Sequence, residues 1–325
     1  MDNMKKYENM TVQEKWNILA TVANLYYNSE MTQNEIADRL YTSRSKISRM
    51  LKEARELGIV EISIKEPWER DLELEGRLQK RYQVKNIRVV SAKDENREQI
   101  KSRLSEVSSY YLDSVVKENM VVGISWGNTL YHIVKYIDRN NKKNIPIMVV
   151  PIMGASSVNR PERDAMDLAK SLASAYGGSY QYICAPLFVK SKELKESLVQ
   201  DQTIKNTLAL AKNADVILTS VGSVEYKTFE NYLGEKTFNF LEKKGAIGHI
   251  GGHFFDKNGK EIHTTLTERM IGIGYDDLER CKNVVCIAYG AAKAKAVAGA
   301  LNGGFIDTLI LDSVCAEQVL ADIED

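Results

Sequence analysis

Two short stretches of this 325-residue chain concentrate side chains suited to holding anions. The first, TSRSKISRML (42–51), sets Arg44, Lys46 and Arg49 among the hydroxyls of Ser43, Ser45 and Ser48, with Lys52 just beyond. Ile47, Met50, Leu51 and Ala54 follow the i, i+3, i+4, i+7 spacing of an amphipathic helix, which gives that helix an apolar back and a basic, hydroxylated front. Arg can hold guanine with two parallel hydrogen bonds, while Ser and Lys fix phosphate register. A front of this kind suits the major groove of a duplex. The alternative is a solvated basic face on a protein-interaction module.

The second stretch, MVVGISWGNTLYHIV (120–134), reads as strand, glycine turn, helix. Gly123 and Gly127 are expected to let backbone N–H groups approach a ligand. The helix that starts near Asn128 and Thr129 points its positive end at the same place. Ser125, Asn128 and Thr129 add side-chain donors, and Trp126 lies in the same loop. This is the chemistry of a phosphate site, although glycine-containing turns of this type also occur with nothing bound. Small residues recur in MGASS (153–157), VGS (221–223) and YGAAK (289–293), so Gly154, Gly222 and Lys293 join the candidate ligand site. Lys293 would act as a point charge for a phosphate, or else as a solvated surface lysine. In GHIGGHFFD (248–256), His249, His253 and Asp256 lie close in sequence. They could contact a sugar, hold a metal or be structural. Gly251 and Gly252 argue against one helix presenting both imidazoles to a metal. No GxSxG, HExxH or P-loop motif is present, and no catalytic or metal residue and no cofactor is expected.

The elements that must position these residues fall into two groups. Val12, Trp16, Leu19, Ala23 and Tyr26 recur at helical spacing. Thr32, with Glu35 three residues on, opens a short second helix as a capping box. Gln33, at its start, could meet a DNA phosphate. QNEIADRL, the turn YTS and the basic helix then form a helix-turn-helix, although the turn lacks the glycine often found there. Ser43 can cap the third helix, Gly58 stops it, and GIVEISI (58–64) would be a wing. EPWERDLELEGRLQKRY (66–82) predicts a linker helix starting at Pro67, with Leu72, Leu74 and Leu78 as a stripe for packing or dimer contact. From Asn86 on, strands alternate with helices: IRVVSA, MVVGIS, IPIMVVPI, YQYICAPL, DVILTSVG, AIGHIG, RMIGIG, NVVCIAYG and DTLILD. This alternation predicts an α/β domain with a doubly wound, mostly parallel sheet. The expected division is a helix-turn-helix domain at 1–66, a linker helix at 67–85 and a ligand-binding domain at 86–325.

Bulk composition agrees with a globular two-domain chain: 44% hydrophobic, 27% charged and zero net charge. DNA binding must therefore come from a local patch rather than a global field. The polar start (Asp2, Asn3, Lys5, Lys6) shows no export signal, and the longest apolar run, IPIMVVPIMGA, is too short to span a bilayer. Cys184, Cys281, Cys286 and Cys315 show no CxxC or zinc spacing. The expectation is a soluble cytoplasmic protein with buried free thiols.

ANLYYNSEMTQNEIADRLYTSRSKISRMLKEARELGIVEISI, GISWGNTL, FFDKNG and GAAKAKAVAGAL…IDTLILD occur here in one order. Together they resemble the SorC/DeoR-like family of bacterial sugar-binding transcriptional regulators, over nearly the whole chain. The resemblance implies a DNA-binding head on a body related in fold to ribose-phosphate isomerases and glucosamine-phosphate deaminases. It also implies a phosphorylated sugar or polyol effector, operator DNA as partner, a homodimer or homotetramer, and control of a catabolic operon. SWGNT would be the phosphate loop, with Lys293 and the 249–256 segment lining the pocket. The places of His249 and His253 are usually Asp and Arg in that family, so hydroxyl recognition is expected to differ. Some relatives capture an aldehyde sugar with a lysine where this chain has Met153, so recognition here is expected to be non-covalent. A sugar-phosphate isomerase or deaminase carrying a DNA-binding head, with His249 and Asp256 as acid/base pair, and a ligand-free scaffold are the rival readings.

Overall fold

The computed structural model describes residues 10–60, 70–92, 96–140, 143–156, 160–227 and 229–321. The chain divides into two units, Met1–Pro67 and Trp68–Asp325.

Among the described residues the first unit holds three helices, α1 (Val12–Tyr27), α2 (Gln33–Arg39) and α3 (Arg44–Glu56). Thr11 with Glu14 and Thr32 with Glu35 form complete capping boxes at α1 and α2, satisfying first-turn amides that have no intrahelical acceptor. Ile47, Met50, Leu51 and Ala54 of α3 pack with Ile36 and Ala37 of α2 and with Leu19, Val22 and Ala23 of α1 in one core. Val12 and Trp16 were expected on that face, but they are exposed: the shorter α2 and α3 cover only the later turns of α1. Where glycine is often found in such a turn, Tyr41 takes the left-handed conformation (φ 51°) and is exposed. Gly58 (φ 72°) ends α3 as expected. Most of the expected wing, residues 61–64, lies outside the described residues.

The second unit begins with α4 (Leu72–Arg81), β1 (Asn86–Val90), α5 (Arg97–Val115), β2 (Val121–Ile124), α6 (Asn128–Asn140), β3 (Met148–Pro151), α7 (Ala165–Tyr176) and β4 (Ser179–Tyr180). There follow α8 (Lys192–Gln200), α9 (Gln202–Lys212), β5 (Val216–Thr219), β6 (Gly222–Ser223), α10 (Glu230–Leu233), α11 (Glu235–Lys243), β7 (Gly248–Ile250) and β8 (His253–Phe255). The chain ends with α12 (Tyr275–Arg280), β9 (Val284–Ala288), α13 (Ala294–Asn302), β10 (Thr308–Asp312) and α14 (Ser313–Ala321). Seven strands form one parallel sheet in the order β1-β10-β9-β5-β2-β3-β4. The period-2 pattern of a sheet covered on both faces is plain in β9: Val284, Cys286 and Ala288 enter one core, Val285 and Ile287 the other.

Four segments differ from their sequence reading. The expected start of the linker helix, Pro67, lies outside the described residues; the helix there runs from Leu72 with Asp71 as its cap, and Arg70 just before it bridges Val90. Its Leu74 and Leu78 are buried in the body core, and Leu72 is exposed. RMIGIG and most of YQYICAPL make only isolated bridges, Met153 to Gly272, Phe188 to Met270 and Ala155 to Pro186, instead of sheet strands. AIGHIG supplies β7, which pairs antiparallel with β6 and β8 in a separate three-stranded sheet. Three of the four cysteines are buried as expected; Cys184 is exposed. No helix among the described residues is long and apolar enough to cross a membrane.

Candidate functional site

The order of the large sheet sets the place of the site. From β2 the chain moves through β3 to β4 on one side, while β5, β9 and β10 lie on the other. The crevice between the carboxyl ends of β2 and β5 is therefore a topological switch point, where open α/β sheets bind ligands. A cavity of about 760 Å³ opens there, within the range of small-molecule sites.

Ser125, Trp126, Gly127, Asn128 and Thr129 line it at the end of β2. Gly127 has φ 124°, a backbone state open to glycine and strained for other residues. The amides do not behave as the sequence suggested. Ser125 N–H donates to Leu218 O (3.1 Å) and Gly127 N–H to Arg163 O (3.0 Å), so both are committed to the fold. Gly123 stays inside β2, where a Cβ would stand 2.7 Å from Ile152 Cγ2; its glycine serves packing. The donors that remain are the first-turn amides of the 13-residue α6, which have no intrahelical acceptor and carry the positive end of the helix.

Lys293 enters from the turn after β9. Its ammonium donates to Thr129 Oγ1 and to Ser220 Oγ, each at 3.2 Å, and lies 5.8 Å from the Tyr289 ring centre. Burial pushes its pKa below the usual lysine range, partly offset by Cys286, Cys315 and Asp312. Asp312 is itself held, its Oδ2 accepting from Gly290 N–H and its Oδ1 from Cys315 N–H. A desolvated ammonium beside a helix N-terminus, in a cavity lined by hydroxyls, is suited to a phosphoryl group.

Gly222 and His249 line the same cavity and face each other across the β6–β7 pair. A Cβ on Gly222 would lie 2.0 Å from His249 Nε2, so the imidazole occupies the space a side chain would need. His249 stacks with Phe229 (5.0 Å) and Trp126 (6.4 Å between ring centres). Burial, with Lys293 nearby, pushes its pKa down to about 3, so it is a neutral imidazole.

Three predicted ligand residues are not among those lining the cavity. Gly154 is walled in by backbone: a Cβ would stand 2.7 Å from Ala185 O and Pro186 O. His253 faces away, because successive strand residues alternate sides. Its Nε2 bonds Ile273 O (2.9 Å) and its Nδ1 bonds Glu261, so both ring nitrogens are occupied. Asp256 closes a turn, its Oδ1 accepting from the N–H groups of Asn258 (2.8 Å) and Lys260 (3.0 Å). Among the described residues no group of three or more His, Cys, Asp or Glu could hold a metal.

Sequence reasoning missed Ser156, Arg160 and Arg163, which follow β3, and also Ser220, Tyr232 and Tyr289. Ser156 and Tyr289 lie inside the quoted small-residue loops and Ser220 adjoins one, so all three were within reach of the strand-end argument. Arg160 and Arg163 carried no local signal.

In the first unit, Arg44, Ser45, Ser48, Arg49 and Lys52 are exposed along one side of α3, and Lys46 is half-buried. Ser43 caps α3, its Oγ accepting from Lys46 N–H at 3.4 Å, so that hydroxyl is first a structural group. Gln33 is half-buried at the first position of α2. Lys52 is 3.6 Å from Glu56, which draws its charge from the basic front.

Comparison with known proteins gives the same two-part division. Residues 66–321 match the "Putative sugar-binding domain" family, and residues 15–61 match the winged helix-turn-helix DNA-binding family. The chain is 29% identical to the deoxyribonucleoside regulator of Bacillus subtilis (strain 168), over 95% of this chain and 99% of the other. It is 26% identical to the sorbitol operon regulator of Klebsiella pneumoniae, over 93% and 97%. The crystal structure of full-length SorC from Klebsiella pneumoniae superposes with a TM-score of 0.71 at 25% identity, covering 94% of this chain and 99% of that one. A winged helix-turn-helix head joined to a sugar-binding body places this chain in the SorC/DeoR-like family of sugar-binding transcriptional regulators.

Proposed function

We propose that the body binds a phosphorylated sugar or polyol non-covalently in the switch-point cavity, and that this binding sets the affinity of the α1–α3 head for operator DNA in a carbohydrate catabolic operon. The observation that carries the reading is the meeting of Lys293, Thr129 and the N-terminus of α6 in one cavity. The phosphoryl group accepts from Lys293, from Thr129 and from the first-turn amides. Neutral His249 and Trp126 offer ring faces and a polar edge to the sugar. Met153, fully buried, is not among the lining residues, in keeping with recognition without a covalent bond there. The names of the relatives, a deoxyribonucleoside regulator and a sorbitol operon regulator, support the catabolic setting. The protein works in the cytoplasm as a homodimer or homotetramer without catalytic turnover. A coupling of about 1–3 kcal/mol between effector and operator would change DNA affinity roughly 5- to 150-fold.

A sugar-phosphate isomerase or deaminase is the weaker reading. It needs an acid/base pair at the ligand, whereas Asp256 is spent on its turn and His249 is neutral among aromatic rings. Incubation with a panel of sugar phosphates tests both. Thermal stabilisation without product, and no mass increase after borohydride, is the expected result. Product formation would establish the enzyme, and a mass increase would establish covalent capture.

A further inference from the structure

The turn between α2 and α3 carries a side chain that the fold does not use. Tyr41 sits in the left-handed backbone region, at φ 51°, where a side chain costs conformational energy and glycine does not. Glu30, Asn119 and Lys227 also have positive φ. Asn adopts that state readily, and Glu and Lys carry charges that belong in water. Tyr41 alone among the four is aromatic, and it is 88% exposed. Its backbone N–H donates to Asp38 O at 3.3 Å, but no hydrogen bond, ion pair or ring contact engages its side chain among the described residues. The head bears the strain and gains no packing from the ring. A strained, solvent-facing ring of this kind points to a partner outside the chain.

The place of the turn identifies that partner. Tyr41 lies three residues before Arg44, the first residue of α3, so their Cα atoms are within about 11 Å. In a helix-turn-helix the first residues of the second helix meet base edges in the major groove, which is about 12 Å wide. A residue this close to them stands beside one phosphate wall of the groove. Charge agrees with that placement. From Arg39 to Lys52 the chain carries five basic residues and no Asp or Glu, and Ser43, Arg44 and Ser45, just beyond Tyr41, are exposed. A second copy of the head would bring the same basic stretch, and like charge would oppose pairing there.

We propose that Tyr41 is a DNA contact: its hydroxyl donates to a phosphate oxygen at the edge of the groove that α3 enters, and its ring covers the adjoining deoxyribose. This rests on the DNA-binding role of the head. The contact fixes the register of α3 and carries no base preference.

The test is fluorescence anisotropy of the full chain with a labelled duplex of random sequence, over a series of salt concentrations. Tyr41→Phe keeps the ring and the backbone strain and loses the hydroxyl. It should bind about fivefold more weakly, with an unchanged salt slope, because a phenol neutralises no phosphate charge. Tyr41→Gly removes ring and strain together. It should bind more weakly still, by about tenfold or more, while the amides of α2 and α3 exchange no faster than before. Arg49→Ala, by contrast, should reduce the salt slope by about one. Wild-type affinity in either Tyr41 variant overturns the contact. A loss accompanied by a changed salt slope also overturns it, since displaced basic residues would then be the cause. Faster exchange of α2 and α3 amides in Tyr41→Gly would show that the ring holds the turn instead. An altered sedimentation mass of that variant, with duplex affinity intact, would make the partner a second copy. If the unaltered chain binds no duplex at any salt, the DNA-binding reading of the head falls, and the contact falls with it.

Discussion

The ring of His249 fills the volume that any side chain at residue 222 would require, with Nε2 2.0 Å from the position of a Cβ on Gly222. The two residues are partners across the β6–β7 pair, and the ring is held by Phe229, Trp126 and Phe254. The imidazole cannot swing aside, because its neighbours are themselves packed. Gly222→Ala should therefore destabilise the body by about 1–3 kcal/mol through overpacking, read as a lower denaturant midpoint. It should also weaken effector binding by displacing a wall of the cavity. An unchanged midpoint would show that the ring relaxes freely.

Burial of His249 has a consequence in acid. Its folded pKa of about 3 lies below the ordinary 6.5, so the unfolded chain binds the extra proton first. Stability from this residue is complete above about pH 6.5 and is lost as pH falls toward 3, with a slope of up to about 1.4 kcal/mol per pH unit. His249→Phe, which keeps an aromatic ring, should flatten that part of the profile. Denaturant titrations between pH 7 and 4 on both proteins check it.

Lys293 behaves in the opposite pH range. Its folded pKa is lowered by burial, so charging it opposes folding below that pKa, and the penalty disappears as pH rises toward the unfolded lysine value. Lys293→Met should lose sugar-phosphate affinity by tenfold or more without loss of apo stability at neutral pH. Paired calorimetric and thermal measurements separate the two effects. A less stable apo variant with intact affinity would assign the lysine a purely structural role.

Arg49 is exposed on α3 while its neighbours Ile47 and Met50 hold the core. Arg49→Ala should weaken operator binding by about 1–3 kcal/mol at fixed salt and leave the effector isotherm unchanged. Equal operator affinity in the variant would remove Arg49 from the interface.

Thr32 accepts from Glu35 N–H (3.3 Å) and donates its own N–H to the Glu35 carboxylate (2.8 Å). Thr32→Ala should cost the head about 1 kcal/mol. Hydrogen exchange of α2 amides should report the change, with the body's protection unaltered.

Much of this protein was legible along the chain because the interactions concerned are short-range. The capping box at Thr32, the N-cap at Ser43, the apolar spacing of Ile47 to Ala54, and the strand–glycine–helix run around Gly127 each depend on residues within one or two turns. The alternation of strands and helices then implied a parallel sheet, and with it a site at the strand ends. What the chain could not reveal depends on strand order and on which side of a strand a residue faces. His249 and His253 lie four residues apart, yet the turn at Gly251–Gly252 and the period of two send one to the cavity and the other to Glu261. RMIGIG has the alternation of a strand but meets only single bridging partners, since no neighbouring strand is aligned to extend the ladder. Arg160 and Arg163 belong to the site only because β3 pairs beside β2, which brings the Arg163 carbonyl to the amide of Gly127. Local propensity and pattern set the elements, whereas the long-range pairing of strands, decided by burial of the whole sheet, chose which loops share a cavity.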